Sequence, residues 1–349
     1  MKIVRTYLPA LLTGFLFPFA SSGQVFQPDT NSIFGLLQQY APLNVSIETD
    51  LKQLVNDKAE EVWQPAVFKV LTGDSVALQI DVQVAARGNM RKKNCDFPPV
   101  KIRFYKQKPL NDSIADINEI KLVTSCSNTS QNEEWVKREY LLYELYNLLT
   151  EHSFRVKPAT VRFQNTGKKN NPIEGFSFFI ESEDELAARL GGKPVKPRVG
   201  STRSLDSASY DRMCLFEFMI GNTDWSVRAR HNIKLIYLKQ ANSIIAVPYD
   251  FDYSGAVGTN YAVPNGDYPI ESVQDRYYLG LCRTTTHYQQ IFDFYLSKEA
   301  ALMNHIEQAD YLPANARRQM ADYLKGFFKT LHDPRLAKRD ILQNCNKGR

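Results

Sequence analysis

Asp224, Asn232, Asp250 and Asp252 fall in polar loops that flank two short apolar runs, residues 233–238 and 244–247. Asx side chains at the ends of neighbouring strands can gather hard oxygen donors around one point. Such a set suits Mg²⁺, a cation that takes few protein oxygens and completes its shell with water and phosphate. Singly, Asp and Asn are among the commonest turn formers. Their order is what carries weight: an apolar helix, then Gly221-Asn222-Thr223-Asp224, a loop ending in His231-Asn232, a hairpin, and an apolar strand running into Asp250-Phe251-Asp252. Other chemistries lack support. No Gly-x-Ser-x-Gly or His-Glu-x-x-His is present, so serine-hydrolase and zincin sites have no motif. The five cysteines form no CxxC pair, which argues against a zinc site.

The elements that must hold these residues follow from hydrophobic period. Residues 78–84, Leu-Gln-Ile-Asp-Val-Gln-Val, alternate apolar and polar without a fault, the period of a strand with one buried face. Residues 100–104 and 120–123 alternate again, so 66–124 reads as an antiparallel sheet interrupted by the loop that carries Arg87-Gly88-Asn89. Ser130 and Glu133 form a capping-box pattern, and Trp135, Leu141, Leu142, Leu145, Leu148 and Leu149 recur at helical spacing up to Thr150. Residues 159–163 and 175–181 read as a hairpin. Residues 210–220 carry apolar side chains on all sides and stop at Gly221, which predicts a buried helix with a glycine cap. The stretch 284–332 is mainly helical. Together these predict an α+β chain: a segment 1–22, an N-terminal extension 23–65, a β-rich lobe 66–182 and an α-rich lobe 183–349.

Composition bounds the partners. The chain has 349 residues with Lys+Arg 43 against Asp+Glu 38, and that small surplus, without basic runs interleaved with aromatics, argues against nucleic acid. Residues 1–22 read as a secretory signal: Lys2 and Arg5, an apolar stretch over 7–19, then Ala20-Ser21-Ser22. The expected location is therefore outside the cytoplasm, in the periplasm or at the cell exterior, with no membrane-spanning segment in the mature chain. Disulfides persist in such a compartment, and Cys95 with Cys126 is the expected pair; Cys214 reads as a small buried hydrophobe.

On these motifs the chain resembles the CotH-type kinases, spore-coat-protein kinases similar in architecture to protein kinases. The resemblance spans roughly residues 75–260. It rests on Arg87-Gly88-Asn89, Lys121-Leu122, Arg138-Glu139 with Tyr143-Glu144-Leu145, Gly175-Phe176, Phe179-Ile180-Glu181, Gly221-Asn222-Thr223-Asp224, His231-Asn232 and Pro248-Tyr249-Asp250-Phe251-Asp252-Tyr253-Ser254-Gly255. It implies a two-lobed protein-kinase-like fold, with an N-terminal antiparallel β-sheet lobe carrying one helix and a mainly α-helical C-terminal lobe. ATP or another nucleotide and Mg²⁺ are the implied cofactors, and the implied acceptor is a protein or another hydroxyl-bearing molecule.

Residue by residue, the resemblance makes Asp224 the catalytic carboxylate and Asn232 and Asp250 metal ligands, with Asp252 as a second candidate. Lys121 would pair with the nucleotide phosphates, Glu139 or Glu144 would orient that lysine, Arg87 would fork onto phosphate oxygens, and 179–181 would meet the base through backbone groups. These roles agree with what phosphoryl transfer asks of a protein, namely positioning and charge neutralisation. The chain departs from the pattern in three ways: seven residues separate Asp224 from Asn232, a single glycine, Gly88, stands in place of a glycine-rich loop, and an exported protein meets little ATP. Two functions stay open, an exported Mg²⁺-dependent phosphotransferase and a catalytically inactive binding module of the cell envelope.

Overall fold

A computed structural model of the chain describes residues 32–88, 91–92, 95–105, 119–167, 172–196 and 202–347. The expected signal segment 1–22 and Asn89 lie outside the described residues. Ten strands and eight α-helices are found among the described residues. Seven strands, β1 (Asn44–Thr49), β2 (Gln64–Thr72), β3 (Ser75–Ala86), β4 (Val100–Phe104), β5 (Glu119–Val123), β6 (Val156–Asn165) and β7 (Ile173–Ile180), close into a barrel in the order β1-β2-β3-β4-β5-β7-β6.

This closure overturns the expectation of a two-lobed, kinase-like α+β fold built on an open antiparallel lobe. The strand responsible lies in the segment read only as an extension. Asn44-Val45-Ser46-Ile47-Glu48-Thr49 alternates, with Val45 and Ile47 buried in the barrel core. β1 pairs antiparallel with β2 (Ile47↔Phe68) and parallel with β6 (Ile47↔Phe163), so it joins the two strands that would otherwise end the sheet.

Beyond the barrel, α1 (Ile33–Gln38) and α2 (Leu51–Asn56) flank β1. The long α3 (Ser130–Leu149) follows β5, and α4 (Glu183–Arg189) leads into a separate three-stranded sheet, β10-β9-β8, of β8 (Gly192–Pro194), β9 (Ile233–Leu238) and β10 (Ser243–Pro248). Between β8 and β9 runs α5 (Ser207–Ile220); α6 (Thr285–Gln308), α7 (Ala314–His332) and the short α8 (Pro334–Ala337) complete the chain. The cap of α3 is Thr129, not Ser130: its hydroxyl accepts the Asn132 N–H at 3.3 Å. Gly221 ends α5 as expected, at φ 66°, where a Cβ would fall 2.0 Å from the Tyr323 hydroxyl.

Two apolar cores meet at β5 and β7, and strand period decides which side chain enters each. Phe179 and Leu122 face the barrel interior, while their neighbours Phe178, Ile180 and Val123 face the core shared by α3, α5, α6, α7 and the smaller sheet. By the same alternation Lys121 leaves the barrel and faces the second half of the molecule. Disulfides join Cys95 to Cys126, as expected, and Cys282 to Cys345; Cys214 is free and buried in α5. No helix among the described residues is long and apolar enough to cross a membrane. Two disulfides and the lack of such a helix are consistent with an exported protein.

Candidate functional site

The β9–β10 hairpin sets the site. Its register pairs Ile233 with Pro248, so the residues just outside the ladder, Asn232 and Tyr249, sit side by side, and the Tyr249 N–H donates to the Asn232 carbonyl at 3.0 Å. Asp250 follows immediately. Both Asn232 (φ 51°) and Asp250 (φ 66°) occupy the left-handed region, a conformation that costs non-glycine residues about 1 kcal/mol or more and persists only where the surroundings impose it. Tyr143 of α3 supplies one such restraint, its hydroxyl accepting the Asp250 N–H at 2.8 Å.

Seven intervening residues do not keep Asp224 from Asn232. Ser226 and His231 exchange backbone hydrogen bonds of 3.0 and 2.9 Å, closing the loop on itself. Asn232 Nδ2 then donates to the Asp224 carbonyl at 2.8 Å and to Oδ2 at 3.1 Å, while His231 Nε2 stands 2.9 Å from Asp224 Oδ1. Burial raises the Asp224 carboxyl above the usual range, against the pull of His231.

Lys121 projects from β5 onto the face of Tyr249, with Nζ 4.6 Å from the ring centroid, and Lys234 approaches the same ring at 5.5 Å. Burial, reinforced by the charges of Arg87 and Lys234, brings the Lys121 ammonium down to about 7. Arg87 is 9% exposed at the end of β3 and its N–H is held by the Pro99 carbonyl at 2.8 Å. Arg87, Lys121, Asp224, Asn232, Asp250 and Asp252 all line one cleft of about 470 Å³.

Glu139 is elsewhere. The expected ion pair with Lys121 is replaced by one with Arg91, whose Nη2 lies 2.5 Å from Glu139 Oε2 in the interior. Arg91 Nε also donates to Asp252 Oδ2 at 2.9 Å, and the Tyr261 hydroxyl donates to the same oxygen at 2.9 Å. Asp252, expected as a metal ligand, is thus engaged by two donors and its side chain is only 9% exposed. Burial raises both carboxyls, Glu139 to about 7; it also disfavours the Arg91 charge, but Glu139, Tyr261 and Asp252 outweigh it and hold the guanidinium well above its ordinary value. Glu144, the alternative partner for Lys121, instead accepts the Tyr140 and Tyr311 hydroxyls at 2.8 and 2.5 Å. Sequence reasoning missed Arg91. Its one signal was position, four residues past Arg87 in the same loop.

Among the described residues no group of three or more His, Cys, Asp or Glu is placed to hold a metal ion. What remains is a small hard-oxygen set, the Asp250 carboxylate and the Asn232 amide oxygen, beside cations that have no carboxylate in ion-pair reach among the described residues. Such a set fits Mg²⁺ held mainly by phosphate and water, a cation that rarely has an all-protein cage. No protein-family model matches the chain, and no curated protein matches it.

Proposed function

We propose that the cleft binds a phosphate donor together with Mg²⁺ and transfers a phosphoryl group to a hydroxyl-bearing acceptor, protein or small molecule, outside the cytoplasm. The observation that carries this reading is the convergence of Lys121, Asp224, Asn232 and Asp250 on one cleft from chain segments far apart in sequence. Their roles are those of the CotH-type kinases, to which we propose the site, though not the sheet closure, is related.

Lys121 and Arg87 bind the phosphate oxygens, where an incoming polyanion favours the charged ammonium over the neutral amine. Asp250 and the Asn232 amide oxygen would hold Mg²⁺, which when bound neutralises charge on the transferring group. Asp224 accepts the proton of the attacking hydroxyl at a carboxylate oxygen, and a raised proton affinity suits that task. His231 and Asn232 orient the Asp224 carboxylate through their contacts with its two oxygens. The test is transfer of labelled terminal phosphate by the purified chain in Mg²⁺, with Asp224→Ala as the inactive control; equal activity in that variant would reject the assignment.

A second reading, an envelope module that binds an anionic ligand without turnover, is favoured by the engagement of Asp252, which leaves fewer acids for a metal. Tight phosphate binding without transfer would select it.

A further inference from the structure

The cleft is built for phosphate and offers little to a base. Of its cations, Lys101, Lys234 and Arg91 are matched by carboxylates, Glu61, Glu183 and the Glu139–Asp252 pair. Arg87, Lys92, Lys121 and Arg230 have no carboxylate in ion-pair reach among the described residues; Lys92 and Arg230 reach only backbone carbonyls. Four such cations face the Asp250 carboxylate and an Asp224 already bonded to His231, a strong positive surplus in about 470 Å³.

A nucleobase needs a flat apolar slot or free backbone groups. The apolar and aromatic lining among the described residues is Pro99, Tyr249 and Tyr253. Tyr249 already carries Lys121 and Lys234 over its ring, and Tyr253 packs on Tyr261 at 5.9 Å. Backbone recognition by the 179–181 segment is closed off by the barrel. β7 is flanked on both sides: Phe179 pairs with Leu122 and Lys157, and Ile180 with Lys121 and Val156. The Glu181 N–H donates to the Arg155 carbonyl at 2.9 Å, its carboxylate is gripped by Arg189, and the Phe179 ring fills the barrel core.

We infer that the donor is a base-free phosphate chain, an inorganic tripolyphosphate or a longer polyphosphate, and not a nucleotide; the inference rests on the phosphoryl-transfer reading above. A chain with charge on every phosphate complements a cluster of cations lining one cleft with no accompanying aromatic slot. In the step, the bond from the terminal phosphorus to its bridging oxygen breaks and a bond from that phosphorus to the acceptor oxygen forms. The acceptor proton passes to Asp224, and from tripolyphosphate the leaving group is pyrophosphate. Nothing is oxidised or reduced. A donor of this kind also removes the need for ATP outside the cytoplasm.

The test titrates the purified chain, in Mg²⁺, with tripolyphosphate, ATP, GTP and CTP, and follows transfer of the labelled terminal phosphoryl group from each. The three nucleotides should bind within about threefold of one another, none tighter than tripolyphosphate, and Lys121→Met should weaken all four by about tenfold. Transfer should occur from tripolyphosphate. An ATP affinity about tenfold above that of tripolyphosphate, or an equal preference for one nucleotide over the others, would show that a base is read and overturn the inference. Binding in the expected order with transfer from none of the four overturns the donor role and leaves an anion-binding module. Failure of all four to bind overturns the phosphate-cleft reading itself.

Discussion

Glu139 receives the guanidinium of Arg91 at 2.5 Å, and through that arginine it is tied to Asp252, 113 positions further along the chain. One cation thereby fastens the loop after β3, the middle of α3 and the turn after β10. The turn is the one that presents Asp250, so the wall of the cleft is set by a charge that the ligand need not touch.

Arg91→Met should be the most disruptive single change in this part of the molecule. It strands two buried carboxylates, and breaking a buried ion pair from one side costs about 3–5 kcal/mol. Urea denaturation should report that loss, and Arg91→Met combined with Glu139→Gln should recover part of it, because the second change removes one of the stranded charges.

Lys121 should act in opposite directions on stability and binding. In the folded chain its ammonium loses its proton near 7, whereas the unfolded chain keeps it to about 10.5. Between those values the unfolded state binds more protons, so stability rises with pH across that window, and below 7 the buried charge is a standing penalty. Lys121→Met should therefore stabilise the free protein by roughly 1–3 kcal/mol at pH 6, with the gain fading towards pH 10. Denaturation midpoints measured across that range would expose a flat difference if the assignment were wrong.

Asp224→Asn should separate chemistry from binding. The rate of phosphoryl transfer should fall by about 10²–10⁴ while affinity for the phosphate ligand changes by less than about threefold. Thermal melting should stay close to that of the parent, because Asn keeps an oxygen for the contact with Asn232.

The two disulfides should differ in function though not in stability. Each constrains a long loop, of 31 and 63 residues, and removing either should cost roughly 4 kcal/mol. Only Cys95–Cys126 anchors the segment that carries Arg91, since the Cys95 N–H donates to the Arg91 carbonyl at 2.9 Å. Serine replacement of that pair should weaken binding of the phosphate ligand, and replacement of Cys282 and Cys345 should leave it intact.

Local signals explain what the sequence made legible. The β9–β10 hairpin, the glycine that stops α5 and the faultless alternation in β3 depend on neighbours in the chain; the first two place Asn232, Asp250 and Asp224, and the third leads into Arg87. Cleft residues drawn from one such unit were readable for that reason. Arg91 was not, because nothing in Arg87-Gly88-Asn89-Met90-Arg91-Lys92-Lys93 marks which cation turns inward; a carboxylate 48 residues away decides it. The closing strand was missed for a related reason. Asn44–Thr49 is short, and its parallel partner β6 lies more than a hundred positions downstream, beyond any periodic pattern.

That distant partnership has a consequence for biogenesis. Until Thr160 is available to meet Asn44, the growing chain carries β1 with a bare row of amide and carbonyl groups, a template on which another copy can lay its own strand. Trimming the protein ahead of Gln64 would remove β1 and leave the facing edges of β2 and β6 bare for good. The residues before the barrel's second strand thus act as a built-in guard against aggregation.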